Sequence, residues 1–139
     1  MKTVGSKREK EKKMHSDFGA LYQQAHLSGM VAGKASIPTP MIVQQHKNQL
    51  DDSSSVTESW YVGDGVCGFA WIQVKPGTCS FARWLVKEGK GKRDSYYGGI
   101  SIWVREFNQS YERKMAYAQA FANMLVTAGI RASSNGRLD

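Results

Sequence analysis

Residues 63–77 read Gly-Asp-Gly-Val-Cys-Gly-Phe-Ala-Trp-Ile-Gln-Val-Lys-Pro-Gly. The first six satisfy the G-x-G-x-x-G spacing of a phosphate-binding loop, and the residues after them decide between two fold classes. A dinucleotide-binding unit places those glycines between a strand and a helix, so that the helix N-terminus meets the pyrophosphate. Here Phe69-Ala70-Trp71-Ile72-Gln73-Val74 is rich in β-branched and aromatic side chains, and Lys75-Pro76-Gly77 stops it. That is a strand, so the phosphate-loop context fails. A kinase-type glycine loop does lie between strands, but no H-R-D or D-F-G comes after it. The mechanical reading is a hairpin between Ser59–Val62 and Val66–Val74. Asp64-Gly65 would form its two-residue turn, because both turn positions need positive φ.

Upstream, Lys7-Arg8-Glu9-Lys10-Glu11-Lys12-Lys13 contains no apolar residue. It is either a mobile arm or a solvated helical extension. Ser16 offers an N-cap for a helix carrying Phe18, Leu21, Tyr22, Ala25, Gly29 and Ala32 at helical spacing. Gly19, Gly29 and Gly33 each cost such a helix about 1 kcal/mol, so tertiary packing must sustain it. Pro38 and Pro40 end it ahead of a short strand at Met41-Ile42-Val43, and the polar run 44–58 reads as a long surface loop.

Downstream, Thr78 can cap a helix with Phe81, Ala82, Trp84 and Leu85, which Gly89 terminates. A basic loop runs from Lys90 to Asp94. Ser95–Val104 is either two short strands joined at Gly98-Gly99 or one strand with a glycine bulge. Asn108 or Ser110 caps a last helix, with Glu112 in its first turn and a buried stripe of Tyr111, Met115, Ala118, Ala122 and Leu125. Gly129-Ile130 suits a Schellman ending, and residues 131–139 either return as an edge strand or stay loose.

The expected fold is therefore α+β, a mainly antiparallel sheet with helices packed on one face. A ferredoxin-like β-α-β-β-α-β order runs from Phe69 onward if Gly98-Gly99 is a true turn. A chain of 139 residues, 41% hydrophobic, supports one core without metal or disulfide, so residues 16–139 form a single domain behind a basic segment 1–15. Cys67 and Cys79 form no C-x-x-C pair and read as reduced thiols. With no signal peptide, and no apolar run long enough to span a bilayer, the expectation is a cytoplasmic protein without membrane contact.

Charge is the strongest compositional signal. The formal net charge is +7 and is unevenly placed. Residues 1–15 set six Lys/Arg against Glu9 and Glu11, and residues 83–93 set five against Glu88. Residues 35–70 hold Lys47 against Asp51, Asp52, Glu58 and Asp64. A basic face of this kind attracts polyanions, though it also serves solubility alone.

Other chemistry finds less support. His15, His26 and His46 have no ligand spacing, and adjacent Asp51-Asp52 point apart on an extended chain, so neither a metal nor a cofactor is called for. Thiol catalysis would need Cys67 or Cys79 beside a histidine; Cys79 sits near an expected helix N-terminus, but a semi-buried first-turn residue is the simpler account. Acid–base work would have to pair two of Glu58, Asp64, Asp94 and Glu106. Nucleic-acid binding needs cations for phosphates and aromatic faces for bases. The candidates are Lys7, Arg8, Lys10, Lys12 and Lys13 in the N-terminal segment, with Arg83, Lys87, Lys90, Lys92 and Arg93 just ahead of Tyr96 and Tyr97. Trp60, Tyr61, Trp71 and Trp103 fall on expected strands, where alternation sends about half to the core.

Pro38-Thr39-Pro40-Met41, D-G-V-C-G-F-A-W-I-Q-V-K-P-G-T (64–78), S-Y-Y-G-G-I-S-I-W-V (95–104), N-Q-S (108–110) and the terminal N-G-R-L-D resemble small uncharacterised proteins of tailed bacteriophages. The resemblance covers roughly residues 38–139 and leaves the basic N-terminal segment outside it. The ending departs from the Gly-Ser-Arg-Met-Asp of that group. No activity is assigned there, so the resemblance implies a phage setting, in host cytoplasm or virion, and no functional residue. The expectation is a non-enzymatic accessory protein that binds DNA or RNA through its basic segments. The alternatives are a virion or interaction component that forms a homo-oligomer or docks on an acidic protein, and a small enzyme using Asp64 or a thiol.

Overall fold

The computed structural model describes residues 7–46, 56–62 and 65–139, with side chains for 17–40 and 65–139. Its elements are α1 (Lys7–Ala35), β1 (Met41–His46), β2 (Val56–Val62), β3 (Gly68–Val74), α2 (Ser80–Lys87), β4 (Lys92–Arg93), β5 (Ile100–Trp103), α3 (Tyr111–Thr127) and β6 (Ala132–Leu138). They form a two-stranded sheet, β1-β2, and a four-stranded sheet in the order β4-β5-β3-β6, with antiparallel pairing throughout. The class is α+β.

The fold-deciding stretch does become a strand, but not in the expected hairpin. β2 pairs with β1, Met41 opposite Val62 and Val43 opposite Trp60, while β3 lies between β5 and β6. The reason is burial. Six of the seven β3 residues are buried, so this strand belongs at the centre of a sheet with a neighbour on each side. Polar Gln44, Gln45 and Glu58 sit on paired strands, not in a continuous surface loop. Asp64, the expected turn residue, lies outside the described residues. Gly65 has φ +72°, and a Cβ there would come within 2.6 Å of the Thr39 carbonyl oxygen, so glycine is required by both conformation and space.

Helix α1 starts at Lys7, so Ser16 is helical interior and not a cap, and the basic segment is the first part of a 29-residue helix. Lys, Arg and Glu are good helix formers, which favours continuing the helix through this stretch. Cys79, not Thr78, caps α2: its Sγ accepts the Ala82 N–H at 3.4 Å. Gly89 then ends α2 at φ +70°. Ser110 caps α3 by accepting the Arg113 N–H. The Schellman ending forms, with Ile130 N–H on the Leu125 carbonyl and Gly129 N–H on that of Val126, both 2.9 Å.

The 95–104 stretch is neither of the two expected forms. Strand begins only at Ile100, and its hairpin partner is β4, so Lys92 and Arg93 of the expected basic loop are strand residues. Asp94 and Gly99 close the turn between them by an Asp94 N–H to Gly99 carbonyl bond of 3.0 Å. The C-terminal residues return as edge strand β6 along all of β3, from Gly68 opposite Leu138 to Val74 opposite Ala132.

Alternation along β3 separates two faces. Ala70, Ile72 and Val74 join Ile100 and Ile102 in the core, under Phe81 and Leu85 of α2 and Ala118, Phe121 and Leu125 of α3. Helix α1 packs on the other two helices, through Phe18 against Phe81 and Tyr22 against Phe121. The glycines that weaken α1 as an isolated helix permit this approach: a Cβ on Gly29 would sit 2.7 Å from the Tyr117 ring. The opposite face of β3 carries Phe69, Trp71 and Gln73.

Candidate nucleic-acid interface

Cross-strand register sets the second face out in rows, because residues directly opposite share a face. Trp103, Trp71 and Asn135 form one row across β5, β3 and β6, and Lys92, Ser101, Gln73 and Ser133 form the next across all four strands. Phe69 and Arg137 form a third. The Trp71 and Trp103 rings lie 4.9 Å apart with planes inclined by 32°, and Phe69 meets Trp103 edge-on at 6.2 Å. The guanidinium of Arg137 stands 5.3 Å from the Phe69 ring centre, and the Lys114 ammonium 5.7 Å.

The β4–β5 turn adds two more rings. Tyr97 packs on Trp71 at 5.7 Å, and Tyr96 meets Tyr97 edge-on at 4.6 Å. Asp94 holds them there. One carboxylate oxygen accepts the N–H groups of Tyr96 (2.9 Å) and Tyr97 (2.8 Å), and the other accepts the Ser101 hydroxyl (2.8 Å). The Tyr97 amide above all, then Ser101, holds the Asp94 carboxyl below the usual carboxylate range. Gln73 ties the same turn to β3 by donating to the Gly98 carbonyl at 2.6 Å.

These rings differ in role. Trp71 is 4% exposed and supports the others, whereas Trp103 is 43% and Tyr96 83% exposed. Trp71, Asp94, Tyr96, Tyr97, Trp103 and Arg137 line a cavity of about 410 Å³. The buried Trp71 indole N–H has no hydrogen-bond partner among the described residues. An orphaned donor of this kind costs about 1–3 kcal/mol in the free protein. A ligand carbonyl or phosphate oxygen reaching it would remove that cost.

Trp103 also borders a second cleft, of about 420 Å³, with Tyr22, Lys90, Lys92, Arg105, Glu88 and Glu106 on its walls. The Lys90 ammonium lies 4.9 Å over the Tyr22 ring. Burial, then the Glu106 carboxylate, pushes the Tyr22 hydroxyl pKa up, so it is a neutral donor at neutral pH.

Of the sequence candidates, the structure thus gathers Lys90, Lys92, Tyr96 and Tyr97 around Trp103. Arg93, opposite Ile100, lines a separate cavity with Gly77, Thr78 and Asp94. Arg83 and Lys87 are on the exposed side of α2 and line none of these cavities. The side chains of Lys7, Arg8, Lys10, Lys12 and Lys13 lie outside the described residues. Sequence reasoning left Phe69, Trp103 and Arg137 outside the binding set. The signal for Phe69 was the alternation Phe69-Trp71-Gln73 against Ala70-Ile72-Val74, obscured because both sets are mostly apolar, whereas Trp103 and Arg137 come beside it only through strand pairing.

Of the acid–base candidates, Glu58 and Asp64 have no described side chains, and Asp94 and Glu106 line different cavities. Cys79 is occupied as a helix cap, and His26 bonds the Tyr117 hydroxyl at 2.6 Å in the α1–α3 layer. Among the described residues no group of three His, Cys, Asp or Glu is placed to hold a metal ion, and no helix is long and apolar enough to cross a membrane. No protein-family model, curated protein or solved structure matches the chain.

Proposed function

We propose that this protein binds single-stranded nucleic acid across the outer face of its four-stranded sheet, with bases stacked on Trp103, Tyr97 and Tyr96. The observation that carries this reading is the coincidence, on one face, of exposed rings and flanking cations. Trp103, Tyr96 and Tyr97 supply stacking surface, while Lys92, Arg137 and, beyond the sheet edge, Lys90 and Arg105 supply positive charge. Stacking contributes about 1–3 kcal/mol per base and tolerates any sequence. Cations add a salt-dependent phosphate term. A sheet of this size cannot stack bases that remain paired in a duplex, which favours single strands.

The connectivity supports the same reading by analogy. From β3 the order along the chain is β-α-β-β-α-β, the order of elements that a ferredoxin-like unit has, with the strands side by side as β4-β5-β3-β6. RNA-recognition domains stack two or three bases on aromatic side chains of such a four-stranded sheet. The analogy bears on architecture alone. The setting implied by the phage resemblance accommodates an accessory protein of this type.

The test is fluorescence anisotropy of labelled single-stranded DNA and RNA, with a duplex of the same length, at several salt concentrations. The proposal expects single strands to bind more tightly than the duplex, affinity to fall with salt, and Trp103→Ala with Tyr97→Ala to abolish binding. Duplex preference, or binding indifferent to both aromatic changes, contradicts it.

A further inference from the structure

Stacking on exposed rings reads no sequence, but the cavity among those rings holds three polar groups that stacking does not use. It has about 410 Å³ and is lined in part by Trp71, Asp94 and Arg137. Trp71 comes from the central strand β3, Arg137 from the edge strand β6, and Asp94 from the turn after β4, the opposite edge. The Trp71 indole is 4% exposed, and its N–H has no hydrogen-bond partner among the described residues. An ionised carboxylate has about four acceptor positions. Asp94 fills three of them with the Tyr96 and Tyr97 N–H groups and the Ser101 hydroxyl, which leaves one open. The Arg137 guanidinium stands 5.3 Å from the Phe69 ring centre, a contact that uses its charge and leaves its N–H fork able to donate.

We infer that this cavity takes one guanine of the bound strand, so that the protein selects guanine at one position. The inference rests on the single-strand reading above and adds a base-specific contact to it. The cavity offers donors from one side, Arg137 and Trp71, and an acceptor from the other, Asp94. A base that satisfies both needs acceptors on one edge and a donor on another. Guanine has them. Its O6 and N7 lie side by side, as an arginine fork requires, while N1–H and the 2-amino group lie away from N7. Adenine sets an amino donor beside N7, where guanine has its second acceptor. Cytosine and thymine or uracil crowd donors and acceptors onto a single edge. With guanine seated, the Arg137 fork donates to N7 and O6, and the Trp71 N–H donates to the second lone pair of O6. An N–H of the Watson–Crick edge fills the open position on Asp94. Tyr97 and Trp103 line the same cavity and offer the base stacking surface. A cationic ligand, which rings also attract, would be repelled by Arg137.

The test is fluorescence anisotropy of the full chain with oligothymidine strands that carry guanine, adenine, cytosine or thymine at one central position. The guanine strand should bind roughly 5- to 150-fold more tightly than the other three. Exchanging that guanine for 7-deazaguanine, which lacks the N7 acceptor, should remove most of the preference. Arg137→Gln should bring the four affinities together, whereas lost phosphate attraction alone would weaken all four and preserve their ratio. The unaltered protein gives a readout independent of substitution: the Trp71 indole N–H resonance should move downfield with the guanine strand and not with the all-thymine strand. Equal affinity for all four strands would overturn the inference and leave single-strand binding standing. Preference for another base, a guanine preference that survives both 7-deazaguanine and Arg137→Gln, or an unmoved Trp71 N–H would also overturn it. Binding to none of the strands would overturn the single-strand reading and this inference with it.

Discussion

Trp71 and Trp103 face each other across β3 and β5 with ring centres 4.9 Å apart, one buried and the other 43% exposed. The buried ring packs against the exposed one and restricts its rotamers before any ligand arrives. Rigid rings lose little side-chain entropy on binding, which favours affinity.

Trp103→Ala should therefore weaken binding of a single-stranded oligonucleotide by roughly 5- to 150-fold, the equivalent of about 1–3 kcal/mol for one stacked base. Its packing on Trp71 and Phe69 predicts a loss of stability as well. Anisotropy titration with a parallel thermal melt separates the two.

In the proposed binding mode, the cleft beside Trp103 would meet phosphate rather than base. Replacing Lys90 and Arg105 by Ala should leave stacking intact but lower the salt sensitivity of binding. The slope of log K against log salt should fall by about 0.7 for each phosphate that the altered protein no longer neutralises. Titrations at a series of salt concentrations measure it.

Asp94 positions Tyr96 and Tyr97 without offering a stacking surface. Its carboxyl titrates below the usual 3.8 because the ionised form accepts three hydrogen bonds. A depressed folded-state pKa means the contribution is complete above the unfolded value and is lost as pH falls from about 3.8 through the lower folded value. Asp94→Asn should remove that acid-side dependence and weaken binding at neutral pH. Amide exchange at Tyr96 and Tyr97 against pH, in both proteins, reads the local effect.

Gly29→Val tests the helix layer. Its side chain would meet the Tyr117 ring, already packed on Phe121 at 5.8 Å, and overpacking of this kind costs about 1–3 kcal/mol. Urea denaturation should show that loss.

The strands and helices were more legible in the sequence than their partners. Phe69–Val74 read as a strand because Pro76 and Gly77 bound a β-rich run, and α3 as a helix because its cap, stripe and Schellman ending agree. Strand pairing was not legible. The hairpin signal at Asp64-Gly65 is local, whereas β3 pairs with β5 and β6 through residues distant in sequence. The site was half legible for the same reason. Lys90, Lys92, Tyr96 and Tyr97 stand together in the chain, but Phe69, Trp103 and Arg137 join them only once the sheet is assembled. Arg83 and Lys87 were drawn in by proximity in sequence and are carried away on α2.

The most direct test of the central claim is ultraviolet crosslinking of the protein to a single-stranded oligonucleotide, with the attached residues mapped by mass spectrometry. The account predicts adducts on Trp103, Tyr97 and Tyr96, suppressed by excess unlabelled single strand. Adducts confined to α2 or to residues 7–13, with none on the sheet, would contradict it.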